Sequence, residues 1–491
     1  GTPIQVRAGR ENTSPEKIAN RYHEEFSGCF KKLGFSYDIY HRTADRYHEA
    51  FAQEFFLKLL ENRSIHTRTV EQVYCGNCKQ FLPDRFVTGV CPKCRSNARG
   101  DQCDSCGKLL DPSELEAKKC GLCGSAPEFK PTEHFYIDLS KYQGTLEEYV
   151  EKAQGWRLNA VQLTKRYLNE GLKEKAVTRD LDWGVDVPAE GFEAKKIYVW
   201  IEAVLGYLSA SRLWCEKNGR DWASFWSGDA VHYYVHGKDN IPFHTVILPS
   251  LMIAAGGLHL PDRIISSEYL TLEGRKISTS GNWAVWIPYI LERYDPDSVR
   301  YFSTINGPEK RDTDFSWREF INSHNGELLG AFGNFVNRSL AFAHKYFEGS
   351  VPDGKYNGII IGTIEKLYKS AGNAIEAGDL KESLEQIFAF VRSQNKYFDD
   401  EKPWATIKED SEKCKSTIYT CIQAIANLSN LLEPFIPFSC AKIRQFLNLQ
   451  KPSWEHVELA AGTRLDPQEI LFERIDKARI EEEAKALQGV L

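Results

Sequence analysis

Methionine is almost missing from this sequence: among 491 residues Met252 is the only one. Long hydrophobic runs are missing as well. The most apolar stretch, Val246 to Gly257, is broken by Pro249 and Ser250 and falls well short of the ~20 residues that span a bilayer. No basic segment followed by an apolar one precedes it, so nothing suggests export and a cytoplasmic protein without a membrane partner is expected. Repeats and low-complexity tracts are absent. With 42% hydrophobic and 26% charged residues, the chain is neither disordered nor collagenous. Neither sign of charge dominates: 62 basic against 68 acidic residues leaves −6, so a nucleic-acid partner would be held by local patches. The chain opens on Gly1, which reads as a trimmed N-terminus. At ~150 residues per domain the length suggests about three domains.

Cysteine, by contrast, is plentiful. Eight of the 13 lie between residues 75 and 123 as four Cys-x-x-Cys pairs: Cys75/Cys78, Cys91/Cys94, Cys103/Cys106 and Cys120/Cys123. Each pair places two thiolates on one side of a tight turn, and two pairs make a tetrahedral zinc site. A disulfide framework belongs to short secreted chains. Two zinc ions fit the ligand count, and the spacing leaves open which pairs share an ion. The remaining cysteines, Cys29, Cys215, Cys414, Cys421 and Cys440, read as small core residues.

Helical patterns are expected from Ser14 to Leu33, opened by Ser14-Pro15-Glu16, from Thr43 to Glu61, and from Asn159 to Gly171. Two strand-like runs, Lys196 to Ile201 and Val231 to Val235, each lead into a helical pattern and suggest βα units on a parallel sheet. Beyond Glu327 the periodicity is helical almost throughout, which predicts an all-α bundle.

Three segments carry candidate chemistry. His236-Gly237-Lys238-Asp239-Asn240 follows a strand, with Asn240 as expected N-cap of the next helix. Ligands of open α/β sheets bind at the carboxyl ends of strands, so Lys238, Asp239 and His244 lie where a nucleotide would. An Asp just past a strand suits a ribose; a capped helix with a solvated Lys-Asp pair is the bland alternative. His232 and His236 read as ordinary strand residues. The loop from Glu273 to Gly281 is cationic and mobile in composition; its hydroxyl residues Ser278 and Ser280 with the charges of Lys276 and Arg275 could meet phosphate, and a solvent-facing loop is the bland alternative. Tyr198-Val199-Trp200, with Ala203 and Tyr207, could line an apolar pocket or form an aromatic core.

In order and spacing these segments resemble the methionyl-tRNA synthetases, class I aminoacyl-tRNA synthetases. The likeness covers nearly the whole chain: Gly1-Thr2-Pro3-Ile4, Phe81-Leu82-Pro83-Asp84-Arg85-Phe86, Arg179-Asp180-Leu181, Tyr198-Val199-Trp200, Gly237-Lys238-Asp239, Lys276-Ile277-Ser278-Thr279-Ser280, Tyr294-Asp295-Pro296-Asp297, Arg311-Asp312-Thr313-Asp314-Phe315, Gly333-Asn334-Phe335-Val336-Asn337-Arg338 and Pro403-Trp404.

The resemblance implies an α/β fold: a Rossmann-type catalytic domain with a zinc-knuckle insertion, then an all-α anticodon-binding helical bundle. Its parts would be residues 1–64 and 183–270 (catalytic), 65–182 (insertion), 271–330 (linking domain) and 331–491 (bundle). The zinc pairing it implies is nested: Cys91, Cys94, Cys103 and Cys106 on one ion; Cys75, Cys78, Cys120 and Cys123 on the other. It further implies ATP with Mg2+, methionine and methionine tRNA as partners. Trp200, Ala203, Tyr207 and His244 resemble the methionine pocket; Gly237, Lys238, Asp239 and Lys276 resemble ATP contacts. Lys276, Ser278 and Ser280 are similar to the family's catalytic loop, and Asn334, Arg338 and Trp404 to its anticodon readers.

The chain departs from the family pattern in two places. The family's His-Ile-Gly-His segment would lie before Gly1, and Thr279 stands where many relatives carry the second lysine, with Gly281 where those that also have Thr keep a basic residue. An impaired adenylation step in residues 1–491 alone is therefore expected, as is a monomer. A non-catalytic tRNA-binding or regulatory relative is the alternative reading.

Overall fold

The computed structural model describes residues 2–82, 86–100, 103, 105–106, 110, 112–227, 230–278 and 281–489. The chain divides into two compact units, one of residues 1–27 and 37–266, the other of residues 28–36 and 267–491.

In the first unit, helix Pro15–Lys32 begins at the proline that follows Ser14, and Ser14 Oγ accepts from Lys17 N at 3.3 Å. Helix Arg46–Glu61 is capped by Asp45, whose carboxylate accepts from Tyr47 N. The long strands Ile65–Cys75 and Glu128–Asp138 pair antiparallel from Ile65↔Ile137 to Tyr74↔Glu128. Beyond them hangs a small antiparallel sheet, Asn97–Arg99, Val87–Val90 and Glu116–Cys120 in that order. The third expected helix runs Leu158–Asn169. Strand Tyr233–Gly237 joins Arg263–Ser267 in a two-stranded sheet.

One expected strand is mostly helix. Only Lys196–Ile197 is extended, paired antiparallel with Thr178–Arg179, and helical turns begin at Val199. The buried residues Ile201, Val204, Leu205 and Leu208 follow the i, i+3, i+4, i+7 stripe of a helix, which overrides the β-branched content of the short run. The pairing at Lys196 is therefore antiparallel, not the parallel βα unit expected there.

The second unit contains a three-stranded sheet in which Leu270–Leu272 pairs antiparallel with Arg275–Lys276 and parallel with Thr313–Phe315. Its bundle comprises helices Asn334–Tyr346, Gly358–Glu376, Leu380–Glu401, Ser411–Leu431 and Pro437–Phe446. Helix Ser411–Leu431 is buried all round from Thr417 to Leu431 and so forms the centre. Two of its buried amides hold an extended segment as a neighbouring strand would. Gln423 donates to Leu459 O at 2.8 Å and accepts from Leu459 N at 2.7 Å; Asn427 treats Val457 the same way at 2.8 and 2.9 Å.

Candidate functional site

At the end of strand Tyr233–Gly237 the chain enters a short 3-10 turn, Lys238–Asn240, and then a π-helical turn, Phe243–Ile247. Asn240 is thus inside the turn and is not the expected N-cap; the four-residue spacing instead lends its carbonyl to His244 Nδ1 at 2.8 Å. A carbonyl only accepts, so Nδ1 carries a proton. Burial and the neighbouring His236 push His244 down to about 4. The imidazole is therefore neutral near pH 7, and its bare Nε2 accepts from the Tyr207 hydroxyl at 2.8 Å. Asp239 and Gly237, beside this chain of bonds, are exposed.

Aromatic rings surround the pair. Trp200 stacks on Phe243 with centroids 4.5 Å apart, and Tyr207 meets Tyr234 edge-on at 5.0 Å. Trp200 and Tyr207 remain 42% and 45% exposed, so they wall an opening and are not the interior of a core. Ala203, between them, sits at the 3-10 step that joins the two helical turns. The structure thus brings Trp200, Tyr207 and His244 onto one aromatic, uncharged surface.

Two contributors were not legible as such. His236, expected to be an ordinary strand residue, lies on the same strand face as Tyr234 and stacks on His244 at 4.2 Å. Behind the surface, Glu202 bonds His48 Nε2 at 2.9 Å, and His48 Nδ1 meets Ser209 Oγ at 2.8 Å. This buried network ties helix Arg46–Glu61 to the segment bearing Trp200 and Tyr207. The sequence signal was present: Glu202 is a lone acid among Val199, Trp200, Ile201, Ala203 and Val204.

In the second unit the cationic segment is a hairpin at its base. Glu273 and Gly274 have φ of 48° and 72°, the conformation of a type I′ turn. Arg275 lies over the Trp283 ring at 4.1 Å. Ser278 and Trp283 exchange backbone bonds of 3.0 and 2.9 Å, and Trp283 Nε1 donates to Leu272 O. Lys276 is exposed and makes no ion pair among the described residues. The composition suggested a mobile loop, but Trp283 braces it at Leu272, Arg275 and Ser278. Ser280 lies outside the described residues, as do Thr279 and, in the insertion, Pro83, Asp84 and Arg85.

The eight insertion cysteines gather in two sets, Cys75, Cys78, Cys120, Cys123 and Cys91, Cys94, Cys103, Cys106, the sulfurs of each within 4.8 Å of one another. Four sulfur–sulfur contacts within the sets, Cys94–Cys103, Cys75–Cys123, Cys91–Cys106 and Cys78–Cys120, measure 3.4, 3.5, 3.8 and 3.9 Å. These are far beyond a disulfide's ~2.05 Å and match the ~3.8 Å edge of a tetrahedron with ~2.3 Å Zn–S bonds. The donor sets therefore fit zinc, in the nested arrangement. Three of the four knuckles turn back sharply: Lys79, Arg95 and Gly124, next after Cys78, Cys94 and Cys123, all have positive φ.

On the bundle, Asn334 and Arg338 stand one helical turn apart on Asn334–Tyr346. The Arg338 guanidinium lies 4.2 Å over Phe398 and donates to Asp399 at 2.7 Å and to Asn395 O at 2.5 Å. Trp404 is 51% exposed and leans on Phe398 at 6.1 Å. Trp404 thus offers an open face, while Arg338 is held by its own chain.

Comparison with known proteins accords with these features. The family model described as "tRNA synthetases class I (M)" matches residues 1–340, and "Anticodon binding domain of methionyl tRNA ligase" matches residues 350–490. Methionine–tRNA ligase 1 of Alkaliphilus oremlandii is 54% identical over 488 residues, 99% of this chain and 90% of its own length. A methionine–tRNA ligase of Bacillus cereus is 55% identical over 494 residues, covering 100% of this chain and 91% of its own. The fold is like that of Mycobacterium tuberculosis methionyl-tRNA synthetase bound by methionyl-adenylate, with a TM-score of 0.79 at 22% identity over 96% of this chain and 90% of that one. The chain belongs to the class I methionyl-tRNA synthetases.

Proposed function

We propose that this protein activates methionine with ATP and transfers the methionyl group to methionine tRNA. The methionine carboxylate attacks the α-phosphorus of ATP and pyrophosphate leaves; the terminal ribose hydroxyl of the tRNA then attacks the acyl carbon and AMP leaves. The observation that carries this reading is the Tyr207–His244–Asn240 hydrogen-bond chain beside Trp200. With His244 neutral, the surface presents polarizable rings and no charge, which suits a thioether better than a charged side chain. Ala203 leaves room between the two rings.

Gly237, Lys238 and Asp239 take the nucleotide, Asp239 at the ribose. Lys276, Ser278 and Ser280 meet charge developing on the pyrophosphate, a role of positioning and electrostatics; Mg2+ accompanies the ATP. The two cysteine sets hold two structural zinc ions, which supply folding energy to the insertion and take no part in the chemistry. Asn334, Arg338 and Trp404 read the anticodon. The catalytic parts are residues 1–64 and 183–270, with the insertion at 65–182, a linking domain at 271–330 and the bundle at 331–491. The protein works as a monomer in the cytoplasm; no described helix is long and apolar enough to cross a membrane.

Methionine-dependent exchange of pyrophosphate into ATP, measured on the complete gene product, tests the assignment. Exchange with methionine and none with leucine or isoleucine is expected. Equal exchange with those amino acids, or none with methionine, overturns it.

A further inference from the structure

Neighbouring side chains on a strand leave from opposite faces, so Arg275 and Lys276 are parted by their own backbone. Register decides which goes where. Arg275 stands opposite Leu272, which runs beside Phe315; Lys276 stands opposite Thr271, which runs beside Asp314. Leu272 is buried, so Arg275 leaves on the core side, where its guanidinium covers the Trp283 ring at 4.1 Å. A planar guanidinium over an indole is the favoured form of that contact. Lys276 leaves from the other face and is exposed. Of two adjacent cations, the first is engaged within the protein and the second is offered outward.

The face that carries Lys276 also carries an acid, Asp314, and a carboxylate free to swing would neutralise the lysine. Asp314 is instead engaged twice: its Oδ1 accepts from Thr271 Oγ1 at 2.5 Å and from Gly274 N at 2.8 Å. These bonds hold the carboxylate at the turn of the hairpin. The turn itself is strained, because Glu273 has a φ of 48°, a region that side chains with a Cβ rarely adopt. It persists because Glu273 N donates to Phe315 O at 2.9 Å and Glu273 Oε1 accepts from Trp317 N at 2.9 Å. At the open end Trp283 Nε1 donates to Leu272 O at 3.1 Å, and Trp283 exchanges backbone bonds with Ser278. The hairpin is thus clamped on both sides of Lys276.

Resting on the reading of Lys276 as the cation that meets charge developing on the pyrophosphate, we propose that Trp283 and Asp314 are positioning residues for the adenylation step. Trp283 occupies Arg275 and fixes the open end of the hairpin. Asp314 fixes the turn and keeps its own charge away from Lys276. Neither touches a substrate; each acts through the placement of the Lys276 ammonium. A donor set in place beforehand needs no reorganisation during the reaction, and a misplacement of ~1 Å can cost ~100-fold in rate.

The test is methionine-dependent pyrophosphate exchange by the complete gene product carrying Trp283→Phe, Asp314→Ala or Asp314→Asn. Trp283 is buried, so phenylalanine is chosen to keep a ring in the core while removing the indole N–H. Trp283→Phe and Asp314→Ala should each lower the maximal rate roughly ten- to a hundredfold with the KM for methionine unchanged. Asp314→Asn retains an accepting oxygen for Thr271 and Gly274 and should stay near the parent rate. In a Lys276→Ala background both losses should shrink below about twofold, because residues that act through one group are not additive. Losses that persist in full in that background report general damage to the fold and overturn the proposal. So do parent-like rates in both variants, or an Asp314→Asn enzyme as slow as Asp314→Ala. If Lys276→Ala alone keeps the parent rate, the reading of this hairpin as the catalytic loop fails, and the proposal with it. If Lys276→Ala is slow and both positioning variants are silent, only the positioning proposal falls.

Discussion

His244 carries one proton, on Nδ1, because a backbone carbonyl faces that nitrogen and a hydroxyl faces the other. Burial holds it at about 4, whereas a free imidazole titrates near ~6.5. Between those values the unfolded chain binds more protons than the folded one. Stability is thus fully present above pH ~6.5 and lost as the pH falls toward 4, by up to about 3 kcal/mol from this residue. His232, His236 and His324 are shifted in the same direction by burial. The urea midpoint should therefore fall between pH 7.5 and pH 5, and His244→Asn should shrink the fall without abolishing it. An undiminished fall in the variant would show that His244 is not the group desolvated. Trp404 poses a simpler case, since half its surface is open. Base stacking is worth ~1–3 kcal/mol, so Trp404→Ala should weaken methionine tRNA binding by roughly ten- to a hundredfold. Unchanged affinity would remove Trp404 from the interface.

The two cysteine sets differ in what they join. Cys75 ends the long strand Ile65–Cys75 and Cys120 ends Glu116–Cys120, a strand of the small sheet. Zinc there ties the insertion to its stem. Cys91, Cys94, Cys103 and Cys106 instead close a loop within the insertion. Hydrogen exchange should then show Cys75→Ser releasing amides across residues 76–127. Cys91→Ser should release chiefly those near 91–106, each variant retaining about one of two zinc ions. Equal exchange in the two variants, or no zinc in the freshly reduced parent, contradicts this division. At the same scale, the knuckles and the bundle helices were readable because their geometry is local: a turn of four residues, a stripe of period 3.6. Lys196–Ile201 was misread because a six-residue apolar run fits strand and helix alike, and burial downstream at Val204, Leu205 and Leu208 decided it.

Each compact unit has its own buried core: one around Phe56, Ile137, Leu208 and Leu251, another around Phe335, Ile387, Val391 and Ile422. Units with separate cores unfold as separate cooperative transitions unless strongly coupled. Calorimetry should resolve two transitions, and a zinc chelator should lower only the one belonging to residues 1–27 and 37–266. A single transition displaced as a whole would argue against independent units. The sequence by itself determined the parts whose geometry closes within a few residues: four cysteine knuckles, the strand–turn at Gly237-Lys238-Asp239, the bundle helices, and the family pattern they compose. Only the tertiary structure decided the tautomer of His244, the stacking of His236, and the Glu202–His48 support, whose partners lie 154 positions apart. A contact across that separation depends on how whole elements pack, and no local spacing encodes it.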